Sequence, residues 1–514
     1  SIVVLPFTNL SSDPEQEYFS DGMMEEILNH LVKIEDLQVI SRTTSMQLRG
    51  SSKSIHEITD ELNVATALEG SVRKDGNKVR ITVQLIRGDT DMHLWSEIYD
   101  RELTDIFEVQ SDVAKQIASA LGVVIAPTEE ASIDKIPTTD IAAYDLYIRA
   151  RHERNLYWVT FDKQHIKTSE DLINKALKID PEYLMALAEK GAYFIDDNNH
   201  DSAKLYADRI IDLDPDFNRG YGLRGYYYRA KGDRDLSIEN FLKAINLPPK
   251  DEAWFWYHTE LGRAYSWEPI KALSYFQKGL KKNDEHLQGG EYFWIALTFQ
   301  GIGDYEKAEK YCRMAAESAC FGIGELPNIY INQGKFKEAH QFADSTCQSR
   351  DCLRECSRSL FRASLFLDRF EQAEQYFNQW NTMEQDFAPY ERLVNAEIGY
   401  VYHRLGRTEE AEKVFAAEIQ RLESELNANS IASLFALARL FAFTGNHEKA
   451  IKYLTSFADK RPFGTYSDTI LIDPLFESLR DDPKVKAIVR QAQEKRAAIR
   501  AQVRQMEERG ELTL

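Results

Sequence analysis

Cys347, Cys352 and Cys356, with His340 seven residues upstream of the first, are the group in this 514-residue chain whose types would suit a metal ion. Their gaps do not match the paired two-residue spacing of zinc knuckles, and Cys347 and Cys352 flank a turn between helical segments. Burial as small apolar side chains at a helix junction accounts for them better, with a disulfide from Cys347 to Cys352 or Cys356 as the alternative in an oxidising space. Hydrolytic chemistry finds no footing. His56-Glu57 and His152-Glu153 each lack the second histidine four positions after the first that a zinc protease needs, and no Gly-x-Ser-x-Gly or Walker-type loop is present. Gly322-Ile323-Gly324 lacks a third glycine and a preceding strand. Asp13, Asp21 and Asp100 would suit a cation near strand ends, but aspartates in turns and at helix starts are explained locally. The expectation is therefore no catalytic residue, no metal and no cofactor.

The bulk composition agrees. A net charge of -20 argues against direct nucleic-acid binding, which needs clustered Lys and Arg to displace counterions. The basic tract from Lys484 to Arg504, which also holds Glu494, has helical spacing and reads as a solvated terminal helix. With 43% hydrophobic and 28% charged residues and a mean hydropathy of -0.46, no window is apolar enough to span a bilayer. Five cysteines, an odd number, do not suggest a disulfide framework and lean toward a reducing, cytoplasmic setting. The chain opens on Ser1 in a strand-like run, as a piece of a longer protein would.

The strongest signal is a repeat. A small residue, then seven positions on a turn residue, then five on another small one, recurs as Gly191, Asn198, Ala203; Gly225, Gly232, Ser237; Ala296, Gly303, Ala308; Gly399, Gly406, Ala411; and Ala438, Gly445, Ala450. Degenerate copies keep Trp267 with Ala272, Gly334 with Ala339, and Asp368 with Ala373. Paired helices approach closely only across small side chains, and the turn residue must leave helical backbone space. Pro215, Pro249 and Pro462 follow at a fixed offset and end second helices; the same offset from Pro181 places a turn near Gln164 and a first unit from Ile141. These residues resemble the tetratricopeptide repeat (TPR) family, which implies helical hairpins stacked on a shared core.

Residues 1 to about 125 follow another rhythm. Ile2 to Phe7 reads as a buried strand stopped by Pro6, Asn9 to Pro14 as turn chemistry, Tyr18 to Lys33 as a helix and Leu37 to Ile40 as a second strand. Ile55, Ile58 and Leu62 mark a short helix capped by Ser54 and Glu57. Val79, Ile81, Val83 and Leu85 then alternate with polar residues, giving a hairpin across Asp75-Gly76-Asn77 and a third strand through Leu94 to Tyr99. Ile106 to Val124 closes the unit as a helix. The runs Ile2-Val3-Val4-Leu5-Pro6-Phe7, Asp13 to Gly22, Leu68 to Lys74, Val79 to Ile86, Leu94-Trp95 and Tyr99 to Leu103 resemble the TolB amino-terminal-like domain. Ala142 to Tyr147, Asp473 to Phe476 and Leu479 to Pro483 resemble the junction and closing segments of bacterial proteins in which that domain precedes TPR repeats.

The expected fold is thus an α/β N-terminal domain, a small mixed sheet with covering helices, followed by an all-α TPR-like superhelical solenoid. Its expected divisions are 1–125 for the domain, 126–139 for a linker, 140–465 for about nine helical hairpins and 466–514 for a capping segment. The resemblance implies a position downstream of an effector, either a class III adenylate or guanylate cyclase domain or the winged helix and membrane helix of a CadC-like regulator. The latter would place the segment on the periplasmic face. In TPR arrays the first helix of each hairpin lines a concave groove, and offsets from the first small residue select Tyr226, Arg229, Tyr400, His403 and Arg404. In weaker units they select Arg151, Arg154, Trp158, Trp254 and Tyr257. Arginines and aromatic rings there would hold a protein partner, a peptide or a second copy of the chain.

Overall fold

Period-two alternation at Val79, Ile81, Val83 and Leu85 places all four side chains in a core beneath a small mixed sheet. The architecture comes from a computed structural model, which describes residues 1–160, 162–247, 252–280, 289–318, 320–347, 352–384, 395–426 and 431–514. Strands β1 (Ile2–Val4) and β2 (Thr8–Asn9) run parallel to β3 (Thr66–Asp75), separated at Pro6, which has no N–H to give the ladder. Strands β4 (Lys78–Arg87) and β5 (Met92–Glu102) continue antiparallel. Asp75 faces Lys78 across the Gly76-Asn77 turn, where Gly76 has φ +58°. The strand expected at Leu37–Ile40 contracts to one bridge between Ile2 and Val39, because the backbone on both sides of Ile2 pairs there and nowhere further. Conversely, β2 overlaps the stretch expected as a turn at its first residue, Asn9.

Helices α1 (Glu17–Val32), α2 (Arg42–Gln47), α3 (Ile55–Glu61) and α4 (Ile106–Ala120) surround the sheet. Helices α1 and α4 cover the core face, and Ser54 with Glu57 forms the anticipated capping box on α3. On the opposite face α3 covers one end, where Ile58 packs with Val3, Leu5 and Ala67. The short α5 (Pro127–Ile133) follows, with Ile133 fully buried.

The chain falls into two compact units, one of Ser1–Ala264 and Lys278–His286, the other of Tyr265–Gln277 and Leu287–Leu514. In the first, the sheet domain is followed by hairpins α6 (Ile141–Thr160) with α7 (Lys163–Ile179), α8 (Leu184–Asp196) with α9 (His200–Leu213), and α10 (Asn218–Ala230) with α11 (Arg234–Asn246). Gln164 is therefore inside α7, and the turn expected there falls just before it. Helix α1 lies against α6 so closely that a Cβ at Gly22 would come within 2.1 Å of Ile148 Cγ2. One apolar core accordingly runs from the sheet into the first hairpins, from Ile2 through Tyr144 to Tyr193.

Helices α12 (Glu252–Ala264) and α13 (Pro269–Leu280) come next. The second unit contains α14 (Gly289–Ile302) with α15 (Tyr305–Ser318), α16 (Cys320–Asn332) with α17 (Phe336–Cys347), and α18 (Leu353–Phe366) with α19 (Phe370–Glu384). It continues with α20 (Asn395–Arg404) and α21 (Thr408–Leu426), then α22 (Ile431–Phe443) and α23 (His447–Lys460). Helix α24 (Tyr466–Ile472), a 3-10 turn at Pro474–Leu479 and α25 (Pro483–Glu508) close the chain.

The repeat signature has the expected steric basis. Asn198 and Asp368 sit at φ +56°, while Gly232, Gly303, Gly334, Gly406 and Gly445 lie between +73° and +84°. At the first small position, a Cβ on Gly399 would meet the Phe415 ring at 2.5 Å and one on Gly191 would meet Leu223 at 2.5 Å. The third position is sealed too: Ala203, Ala308, Ala339, Ala373 and Ala450 are fully buried. Directly after the turn residue, Asn199, Asp233, Asp304 and Asn446 accept backbone N–H bonds from the next helix, so turn and cap form one local device. Helices α9 and α23 end just before Pro215 and Pro462; Pro249 lies outside the described residues.

The Lys484–Arg504 tract is not the freely solvated helix expected. Val485, Val489, Ala492 and Val503 are buried on one face of α25, and Arg496, only 3% exposed, binds Asp468 at 2.6 Å and Ser467 at 2.9 Å. The sequence spaces these apolar residues among charges, so composition alone hides the buried stripe. Gly322-Ile323-Gly324 lies within α16, where a Cβ on Gly322 would reach the Ala316 backbone at 2.5 Å, a helix-packing role rather than a phosphate loop. Cys312 and Cys356 are buried thiols outside any disulfide. Cys352, also buried, is disulfide-bonded, which corrects its reading as a plain apolar filler; its partner and the Cys347 side chain lie outside the described residues.

Candidate functional site

Along the first helices of the hairpins, single acids are buried among arginines from neighbouring first helices. In the first unit the acid is Glu189 of α8, 3% exposed. Arg151 and Arg154 of α6 reach it at 2.8 and 2.6 Å, and Arg219 of α10 at 3.5 Å. Arg151 also pairs with Glu25 of α1, which Arg42 holds from its other oxygen at 2.8 Å, and Arg154 reaches Asp196 at 3.1 Å. Burial alone would raise the Glu189 carboxyl; the guanidiniums of Arg154, Arg151 and Arg219 outweigh it and hold it at about 2. The network thus joins the sheet domain to the first repeats through α1.

Next to it, burial and the charge of Glu25 push Glu26 up to about 7, against the pull of Lys33, Arg151 and Arg219. A carboxyl with a raised folded value contributes stability fully below its unfolded value and loses it as the pH rises through about 7. Glu26→Gln is therefore expected to stabilise the chain by about 1–3 kcal/mol at mildly alkaline pH and to make little difference below about pH 4.5. Urea unfolding at the two pH values checks this, and a difference independent of pH would contradict it.

The second unit carries a longer relay. Gln300 of α14 and Asn328 of α16 each donate to Glu325 at 3.1 Å. Arg362 of α18 donates to Asn328 and approaches Glu397 of α20 at 3.3 Å. Arg439 of α22 then donates to Glu397 at 3.2 Å and to Asp473 at 2.7 Å. Asp473 ends the relay by accepting the Leu475 N–H at 2.9 Å, while its carbonyl accepts from Arg480 at 2.8 Å. Glu397 is buried, which opposes ionisation, yet Arg362, Arg439 and Arg358 hold its carboxyl below the ordinary range.

Sequence reasoning selected neither Glu189, Glu325 nor Glu397, although a signal was present. Each stands nine positions before a turn residue, Asn198, Gly334 or Gly406.

The selected residues fall into three local groups. Arg151 and Arg154 belong to the Glu189 network. Tyr226 packs edge-on against Phe241 with ring centres 5.2 Å apart, the Arg229 guanidinium lies over its ring at 5.0 Å, and Arg229 pairs with Glu260. Tyr257 is buried against Phe241 and the Gly222 backbone. In the second unit Tyr400 is buried and its hydroxyl accepts from Arg404 at 2.6 Å, with Arg404 stacked over Phe370 at 4.5 Å and His403 edge-on to Phe443. The side chains of Trp158 and Trp254 lie outside the described residues. Asp13, Asp21 and Asp100 are engaged separately: Asp13 accepts the Glu15 N–H, Asp21 pairs with Arg49, and Asp100 with Arg80. Among the described residues no group of His, Cys, Asp and Glu has the arrangement of a metal site, and no helix is long and apolar enough to cross a membrane.

Residues 1–116 match the family model of the HilA/YgeH-like transcriptional regulator, second domain. Residues 219–251 and 392–456 match tetratricopeptide repeat models. Putative adenylate cyclase 3 of Rhizobium meliloti (strain 1021) is 41% identical over 181 residues, which cover 35% of this chain and 30% of that protein, so the match spans less than a third of its length. Among solved structures, the apo form of the quorum sensor NprR from B. thuringiensis is 16% identical with a TM-score of 0.43, covering 62% of this chain and 98% of that one. A thermophilic TPR protein from Thermus thermophilus is 18% identical with a TM-score of 0.29, covering 35% of this chain and 92% of that one. The chain is a small mixed sheet followed by a mostly helical TPR-like solenoid, with tetratricopeptide repeats in both of its units.

Proposed function

We propose that this segment is a non-enzymatic regulatory and protein-interaction part of a bacterial signalling protein, whose first-helix face holds a partner protein, an extended peptide or a second copy of the chain. The observation that carries the reading is the pairing of Tyr226 with Arg229 and of Tyr400 with Arg404. In each, an arginine that keeps 38% or 42% of its side chain exposed is braced against aromatic rings. A guanidinium held over rings loses little freedom on clamping a carboxylate or carbonyl. In the first unit Arg151, Arg154 and Tyr257 join this proposal, with Trp158 and Trp254 on sequence position alone, and in the second unit His403 joins it. In this reading a TolB-like domain at 1–125 and a linker at 126–139 lead into repeats at 140–465 and a cap at 466–514.

A second reading, favoured by the 41% identity to putative adenylate cyclase 3, makes the segment the C-terminal regulatory half of a class III cyclase working in the cytoplasm. The match of residues 1–116 supports a third, the sensory part of a CadC-like transcription regulator. Both keep the groove as the site of partner recognition.

Selection of a peptide from a displayed library on the whole chain, followed by titration, tests the groove. Arg229→Glu combined with Arg404→Glu is expected to weaken binding at least about tenfold. Full affinity in the double variant, with the fold intact by circular dichroism, would remove the reading.

A further inference from the structure

The second face of the N-terminal sheet is only partly covered, and above it lies a cleft of about 800 Å³. Its floor is a quartet on β3 and β4, where Glu69 stands directly opposite Gln84 and Ser71 opposite Thr82. Leu5, Pro6, Leu48 and Ile55 form an apolar wall, and the 48–54 connector that leads into α3 makes the rim. All four floor side chains are half-buried, and none makes a side-chain hydrogen bond or ion pair within the described residues. Gly70, between Glu69 and Ser71, faces the other side of the sheet, where the Phe7 ring stands 2.6 Å from the position of a Cβ and backs the floor with packed core.

We infer that this cleft binds an uncharged, polyhydroxylated ligand of the size of a short oligosaccharide. Side chains directly opposite on paired strands stand about 4.5–5.5 Å apart, a spacing suited to hydroxyls on the two sides of one sugar ring. Adjacent hydroxyls donate to the Glu69 carboxylate, which can only accept, while Ser71, Thr82 and Gln84 both donate and accept. The apolar wall suits the C–H face of the same ring. Charge excludes the obvious competitors. The two cations of the lining are already held, Arg49 by Glu17 and Asp21 and Lys53 by Glu61, so a phosphate would have to compete with those acids and would meet Glu69 as well. An ammonium would satisfy Glu69 but offers no acceptor to the hydroxyls and the carboxamide.

The inference stands apart from the groove and is tested on the whole chain by calorimetric titration with maltose, cellobiose and lactose, and with ATP and putrescine as contrasts. At least one disaccharide is expected to bind saturably, with Glu69→Gln weakening it about tenfold and Thr82→Phe, which fills the cleft, abolishing it. Hydrogen exchange on the unmodified chain should show protection by the same sugar over residues 48–55 and 66–87, which keeps the test decisive if a variant fails to fold. No saturable sugar binding, binding indifferent to both folded variants, protection elsewhere, or saturation by ATP or putrescine alone would overturn the assignment.

Discussion

Arg439→Leu is expected to destabilise the second unit by about 3–5 kcal/mol, because it leaves two buried carboxylates, Glu397 and Asp473, without the cation they share. Arg439 is 8% exposed, so water cannot take its place without opening the contact of α20 with α22 and the 3-10 turn. The cost arises from abandonment rather than from a large net strength of the pair. Replacing Arg439 together with Glu397 and Asp473 by apolar residues of similar volume should therefore recover most of the loss. Chemical denaturation followed by circular dichroism measures both. A single-variant loss below about 1 kcal/mol would show that the relay is not a clamp.

The second large effect belongs to the first unit. Glu189→Leu removes the acid on which Arg151, Arg154 and Arg219 converge, and about 3–5 kcal/mol is expected to be lost. Because Arg151 also holds Glu25 of α1, the damage should reach the sheet domain, read as faster amide exchange in α1 as well as in α6 and α8. The sign with pH is specific. A carboxyl held at about 2 contributes its stability fully above its unfolded value near 4.5 and loses it progressively as the pH falls from there through about 2, so the wild-type advantage over Glu189→Leu should hold down to about pH 4.5 and shrink below it. Exchange confined to α8 would mean that the network does not connect the sheet to the repeats.

The turn residues show why so much of the helical part was legible. A left-handed backbone position admits few residue types, so Asn198, Gly232, Asp368 and Gly445 announce themselves. Small residues at helix crossings are equally constrained. The weak Trp267 copy and the turn near Gln164 lack such a residue, and the position of the latter shifted accordingly. The acid–arginine networks were hidden for the opposite reason: a glutamate on a helix reads as solvent-facing unless its partners are known, and those of Glu397 lie on the preceding and following first helices. The buried face of α25 was missed likewise, since Arg496 is hidden only through Asp468, Ser467 and Tyr305, all distant in sequence. For the sheet, the hairpin was set by its two-residue turn and alternation, whereas the extent of pairing around Ile2 and Val39 depended on tertiary neighbours that the short run Leu37–Ile40 does not encode.

Hydrogen exchange measured by mass spectrometry on the chain, free and saturated with the selected peptide, tests the interaction reading most directly. Protection is expected on the first helices α10 (Asn218–Ala230) and α20 (Asn395–Arg404), which carry the Tyr226–Arg229 and Tyr400–Arg404 pairs, with little change on the second helices α11 and α21. Protection restricted to the second helices, or to the N-terminal sheet, would contradict the account.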